Sequence, residues 1–181
     1  TYQTTKRDEM AYLIQLSDLH FGPRKHEHYK QQLLELLDKQ ISRFKEGTII
    51  KFLITGDLMD SPTRKNMYAA SEFMNELKRR YHAEVQFVLG NHEFWELESQ
   101  SVAEIISAYK AILEAERICL LHNNLLYAID KYSRFMEITE QEMMLYDSMT
   151  IRKKLLNASI VLFGGVAFAG LNKDFNADNG I

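Results

Sequence analysis

This sequence predicts an α/β fold, a largely parallel sheet covered by helices. Three observations carry that expectation. Apolar runs of strand length at residues 11–17, 50–55 and 85–89 recur along the chain, and each is followed by a segment whose apolar residues return at helical spacing. Strands alternating with helices in this way form parallel sheets with helical cover. Each run also ends in a polar cluster, Asp18-x-His20, Gly56-Asp57-x-x-Asp60 or Gly90-Asn91-His92-Glu93, at the place where parallel sheets build their sites.

Taken in order, residues 11–17 are short and apolar and are bounded by Asp18, as a buried strand is. From His26 to Glu46 apolar residues fall at Tyr29, Leu33, Leu36, Leu37, Ile41 and Phe44, one helix face, with Gly47 as the stop. Ile50 to Thr55 is the second strand. Ala70, Phe73, Met74, Leu77 and Tyr81 stripe the second helix, and Lys78, Arg79 and Arg80 suit the negative pole at its end. Val85 to Leu89 is the third strand, and Val102, Ile105, Ile106, Tyr109 and Leu113 stripe the third helix. After Arg117 the pattern changes: Ile118 to Leu121 and Leu125 to Ile129 are short apolar runs parted by His122, Asn123 and Asn124, a turn at which a second sheet begins. Thr139 to Asn157 is polar with a stripe at Met144, Ser148, Ile151 and Leu155 and is expected as one helix. Ile160 to Phe163 and Val166 to Ala169, split by Gly164-Gly165, read as a hairpin. No repeat or linker interrupts the pattern, so residues 1–181 are expected as a single domain.

The 181 residues are 46% hydrophobic and 26% charged, enough to bury a core, which excludes an intrinsically disordered chain. Lys and Arg number 22 and Asp and Glu 25, and the net charge of −3 excludes an unselective polyanion coat. The one cysteine, Cys119, can form no internal disulfide and anchor no thiolate cluster, which fits a reducing, cytoplasmic setting. No apolar run approaches the roughly 20 residues that span a bilayer. The first ten residues lack the apolar core of a signal peptide, although the chain begins at Thr1 rather than Met.

In a chain of this length, average residue frequencies predict an Asp-x-His about 0.3 times, a Gly-Asp-x-x-Asp about 0.03 times and a Gly-Asn-His-Asp/Glu about 0.001 times. The first alone is weak, and the ordered set is strong. Carboxylate, imidazole and amide oxygen are ligands for Mn²⁺, Fe or Zn²⁺, and a carboxylate such as Asp57 can bridge two cations and offset their repulsion. Two cations about 3.5–4 Å apart clamp a phosphoryl group while supplying a nucleophile, so phosphoester hydrolysis is the natural use.

The three clusters resemble the first three signature motifs of the calcineurin-like metallophosphoesterase superfamily, from about Tyr12 to Glu93, and the Gly164-Gly165 hairpin resembles part of that family's second sheet. The resemblance implies a two-sheet α/β/β/α sandwich, here incomplete at the C-terminus, and two divalent metal ions, Mn, Fe or Zn. It implies Asp18 and His20 on the first metal, Asp57 bridging, and Asn91 on the second metal through its side-chain oxygen. His92 is implied as no ligand but as the group over the phosphate that stabilises the transition state or protonates the leaving oxygen. Asp60 is implied as its partner, orienting it and raising its pKa. Glu93 reads as a helper of loop geometry. Phe94 and Trp95 either wall the substrate pocket or pack against the next helix.

The family completes its site with a further isolated histidine and a Gly-His-x-His motif, and neither is recognisable here. His26 and His28 open a helix, His122 belongs to a turn, and His82 stands in no such motif. These residues are therefore expected to be the N-terminal part of a longer domain, unless a second copy of the chain supplies the missing ligands in a homo-oligomer. The expected function is metal-dependent hydrolysis of a phosphodiester or small-molecule phosphomonoester, of which this piece need not be capable alone. Ser61-Pro62 follows Asp60 and Leu89 precedes Gly90, where protein serine/threonine phosphatases carry Arg-Gly and Arg, which argues against a protein phosphatase. A DNA-repair-type nuclease finds no basic stripe, so nucleic acid is not favoured as a partner, and neither is a membrane. The rival class is a non-catalytic scaffold that kept the fold and lost part of the site.

Overall fold

The computed structural model describes residues 11–22, 26–94 and 101–165. β1 (Ala11–Leu16), β2 (Ile49–Thr55), β3 (Glu84–Val88) and β4 (Cys119–Leu120) form a parallel sheet in that order. Ile14 stands opposite Phe52, and Ile54 opposite Phe87. The crossovers are α1 (His26–Ile41), α2 (Arg64–Tyr81) and α3 (Val102–Ala115). Because strand order follows chain order and parallel crossovers are right-handed, all three helices fall on one face of the sheet. One apolar cluster joins them to it: Leu34 of α1, Phe73 and Leu77 of α2 and Ile105 and Leu113 of α3 pack with Phe52, Ile54 and Phe87.

β5 (Asn124–Ala128), β6 (Met136–Ile138) and β7 (Ile160–Gly164) make a second, antiparallel sheet in the order β6-β5-β7. The mixed α/β architecture with two separate sheets is the one expected. The two runs flanking His122 belong to different sheets: Leu121 still donates to Phe87 O at 2.8 Å, and Asn123 already donates to Gly164 O at 2.8 Å. Lys51 stitches the layers. It is 2% exposed, its Nζ pairs with Glu84, and it donates to Ser133 O at 2.9 Å above the Phe135 ring. No helix among the described residues is long and apolar enough to cross a membrane.

Several expectations are corrected. α1 ends at Ile41 and not at Glu46, since Arg43 and Phe44 turn back to Gln40 O and Ile41 O at 3.2 and 2.9 Å. Its buried face is Lys30, Leu34 and Leu37, whereas Tyr29 and Leu36 are 49% and 58% exposed. The long apolar stem of Lys30 occupies a core position while its ammonium reaches Glu76 at 3.0 Å, which a reading of apolar types misses. The segment from Thr139 to Asn157 is two helices, α4 (Glu140–Leu145) and α5 (Ser148–Leu155). Tyr146 is extended, and Asp147 accepts from Thr150 N at 2.7 Å as the cap of α5, so the chain restarts rather than continues. Met144, expected to face inward, is 83% exposed. β6 was not expected, because a three-residue strand with one buried position carries no readable period. β7 pairs with β5, and the Val166 to Ala169 half of the expected hairpin lies outside the described residues.

Candidate metal centre

Parallel pairing continues past the ends of β1, β2 and β3 and holds the three loops together. Asp18 N donates to Gly56 O at 3.3 Å, His20 N to Asp57 O at 2.9 Å, Phe21 N to Leu58 O at 2.9 Å and Gly56 N to Val88 O at 2.8 Å. To turn here, the backbone enters the left-handed region at Asp18, His20 and Asp57, with φ of 54°, 46° and 51°. Non-glycine residues in that region carry about 1–3 kcal/mol of strain each, which collects where geometry serves function. Three of the four expected metal ligands are strained in this way.

The glycines of the motifs permit the approach. A Cβ on Gly56, at φ 77°, would lie 2.9 Å from Gly90 Cα, and a Cβ on Gly90 would overlap Asp57 N and Oδ1. Gly90→Ala is therefore expected to push the Asp57 loop outward and to lower stability by about 1–3 kcal/mol, as overpacking does. Chemical denaturation of the chelator-stripped chain measures it, and an unchanged midpoint would contradict the close approach.

Glu93 is the buried support of the centre. It is 0% exposed, and Oε2 accepts from Asp57 N at 2.9 Å and Gly90 N at 2.6 Å. Oε1 accepts from Leu58 N at 2.9 Å and Met59 N at 3.3 Å. One carboxylate thus ties the loop after β2 to the loop after β3 through four main-chain donors. Burial pushes its pKa up and the charge of Asp57 adds to that, while the donors of Gly90, Asp57 and Met59 pull it down. Tyr109 of α3 donates to Glu93 O at 3.2 Å and anchors the same turn to the helical layer.

On this frame, ligand atoms of His20, Asp57 and His92 lie within 4.8 Å of one another, His20 exposed and the other two half-buried. The rings of His20 and His92 meet edge to face, centroids 4.4 Å apart. Asp57 Oδ1 also accepts from His92 N at 2.9 Å. Asn91 lies beside the Asp57 carboxylate. With its nitrogen there, it donates to Oδ2 at 2.9 Å and Oδ1 at 3.2 Å. Turned over, it would set oxygen against oxygen, which only a cation between them stabilises. Imidazole, carboxylate and amide oxygen converging in this way fit a divalent metal.

Asp18 belongs to the same loops but not to the close trio, and its Oδ2 is turned to the Ser17 hydroxyl. The hydrogen bond between Asp60 and His92 differs in kind from the expectation. His92 Nδ1 meets the main-chain oxygen of Asp60 at 2.7 Å, so Nδ1 carries the proton, because a carbonyl only accepts. The Asp60 side chain lies along Gly22, where a Cβ would come 3.3 Å from Oδ2. A main-chain contact leaves no trace in residue identity, so no sequence signal distinguishes the two modes. Phe94 takes the packing alternative: it is 6% exposed and part of the core cluster. Trp95 lies outside the described residues. His28 is exposed on α1, and His122, half-buried after β4, has a pKa lowered by burial. Burial pushes the Cys119 thiol up to about 12, which leaves it protonated and no nucleophile.

A comparison with curated proteins returns no match. The family model for calcineurin-like phosphoesterase matches residues 12–177, which takes in both sheets and all three motif loops, and this chain belongs to that family.

Proposed function

We propose that the centre hydrolyses a phosphoester, either a phosphodiester or a small-molecule phosphomonoester. The observation that carries this reading is the convergence of His20, Asp57 and His92 at the C-terminal edge of the parallel sheet, in a chain of the calcineurin-like phosphoesterase family. Two divalent cations bound here would supply Lewis acidity to the phosphoryl group and to a water nucleophile at neutral pH. Asp18 and His20 would hold the first, Asn91 would hold the second, and the charge of Asp57 would offset the repulsion between them. His92 donates through Nδ1 to the Asp60 carbonyl, and in the doubly protonated ring its Nε2–H would stabilise charge on the phosphoryl group or pass its proton to the leaving oxygen, the ring ending neutral. Asp60 acts on this step as a positioning residue.

The test is Mn²⁺ stoichiometry after chelator stripping, with hydrolysis of bis-p-nitrophenyl phosphate and p-nitrophenyl phosphate. Mn²⁺-dependent turnover of at least one ester is expected. His92→Ala should lower kcat by about 10²–10⁴-fold, the usual contribution of a positioned acid, with Mn²⁺ stoichiometry unchanged. Loss of a Mn²⁺ site in that variant would make His92 a ligand, and unchanged kcat would remove it from the chemistry. Full metal loading with no turnover of either ester would favour the non-catalytic scaffold.

A further inference from the structure

A cleft of about 820 Å³ opens at the other end of the parallel sheet, where β2, β3 and β4 begin, and its far wall comes from the second sheet at Leu126 and Glu137 and from Phe135 just before β6. That volume lies in the range of small-molecule sites. Inside it Gln86 is 3% exposed, yet its side-chain oxygen has no hydrogen-bond partner, and neither has the Thr48 hydroxyl. Buried amide oxygens and hydroxyls are nearly always satisfied, so two along one cleft point to a donor from outside the chain.

Charge points the same way. Lys78, Arg117 and Arg134 line the cleft, and none forms an ion pair with a carboxylate among the described residues. The two acids of the wall are already engaged: Glu84 pairs with Lys51, and Glu137 accepts from Asn124 at 2.7 Å. Lys78 Nζ turns to the main-chain oxygen of Glu116. Burial, then the charge of Arg117, lower its pKa, with Glu116 opposing them. On a chain of net charge −3, three cations without a carboxylate partner match a dianion better than a single carboxylate.

We propose that this cleft is a second ligand site, separate from the metal centre, for a phosphorylated small molecule of mononucleotide size. Its phosphate meets Lys78, Arg117 and Arg134, and an N–H or O–H of its body reaches Gln86 Oε1. The site uses the opposite edge of the sheet, so it stands or falls independently of phosphoester hydrolysis.

The probe is AMP, titrated into the chelator-stripped full chain and followed by amide NMR. Saturable shifts are expected at the Gln86 side-chain amide and at Gly47 and Ala83, with the same affinity in Asp57→Asn. Lys78→Gln with Arg117→Asn should weaken binding by about tenfold or more, each tenfold being about 1.4 kcal/mol. Asn is chosen at 117 because it tolerates the φ of 54° there. Arg134→Gln, an exposed position on the other wall, should weaken binding without disturbing the fold. Gln86→Leu should weaken AMP more than inorganic phosphate. Absence of shifts, shifts confined to the loops of His20, Asp57 and His92, or an affinity indifferent to both cation variants would each overturn the proposal.

Discussion

Asp57→Asn is expected to abolish tight Mn²⁺ binding and to lower phosphoester turnover by about a thousandfold or more, while leaving the metal-free chain as stable as before. The catalytic loss follows from Lewis-acid stabilisation worth several kcal/mol, at about 1.4 kcal/mol per tenfold. The structural neutrality follows from local geometry. The side-chain oxygen kept by Asn can still accept from His92 N, where Asp57 Oδ1 does so at 2.9 Å, and Asn tolerates the φ of 51° as Asp does. Removing the charge also relieves the repulsion that raises the pKa of Glu93. The melting temperature of the chelator-stripped variant should therefore equal or exceed that of the parent, and the rise on adding Mn²⁺ should disappear, because a ligand stabilises only the state that binds it. Parent-like Mn²⁺ stoichiometry in the variant would remove Asp57 from the centre. A melting temperature lowered before any metal is added would make its role structural.

Glu93→Gln is expected to show the opposite signature, a loss of stability that precedes any loss of chemistry. Both carboxylate oxygens accept two main-chain N–H groups each, and an amide keeps only one oxygen. Its NH₂ must face either Asp57 N and Gly90 N or Leu58 N and Met59 N, donor against donor. Two buried donors left unmet, at about 1–3 kcal/mol each, put the loss at about 2–6 kcal/mol. For a chain of 181 residues that is a fall of about 4–24 °C in melting temperature. Denaturant midpoints of the stripped protein read the effect directly, and Mn²⁺ affinity should fall with it because the Asp57 loop is no longer held. A shift under about 0.5 kcal/mol would mean that the four hydrogen bonds do not support the loops. A stable variant inactive with full metal would instead move Glu93 into the chemistry.

Local pattern was enough for the parallel sheet, because strand period, helix stripe and loop chemistry all lie within short stretches of chain. It was enough for α2, where Ala70, Phe73, Met74 and Leu77 are the buried face as the stripe requires. It failed for α1, where Lys30 is buried by its stem, and for α4 and α5, whose boundary depends on the extended Tyr146 and the cap at Asp147. In both cases the deciding contacts are with groups the local period does not see.

The same division runs through the centre. The family and the convergence of the three motif loops were legible in the residues alone, because each polar cluster is contiguous in sequence and parallel strands deliver such clusters to one edge, whereas the close trio of His20, Asp57 and His92 emerges only in the fold. The fold alone reveals that Asp60 meets His92 through a carbonyl, that Glu93 ties two loops with four N–H groups, and that Gly90 must be bare for Asp57 to fit. Those contacts run through the main chain, which every residue carries alike, so they depend on register between strands and cannot be read from residue identity.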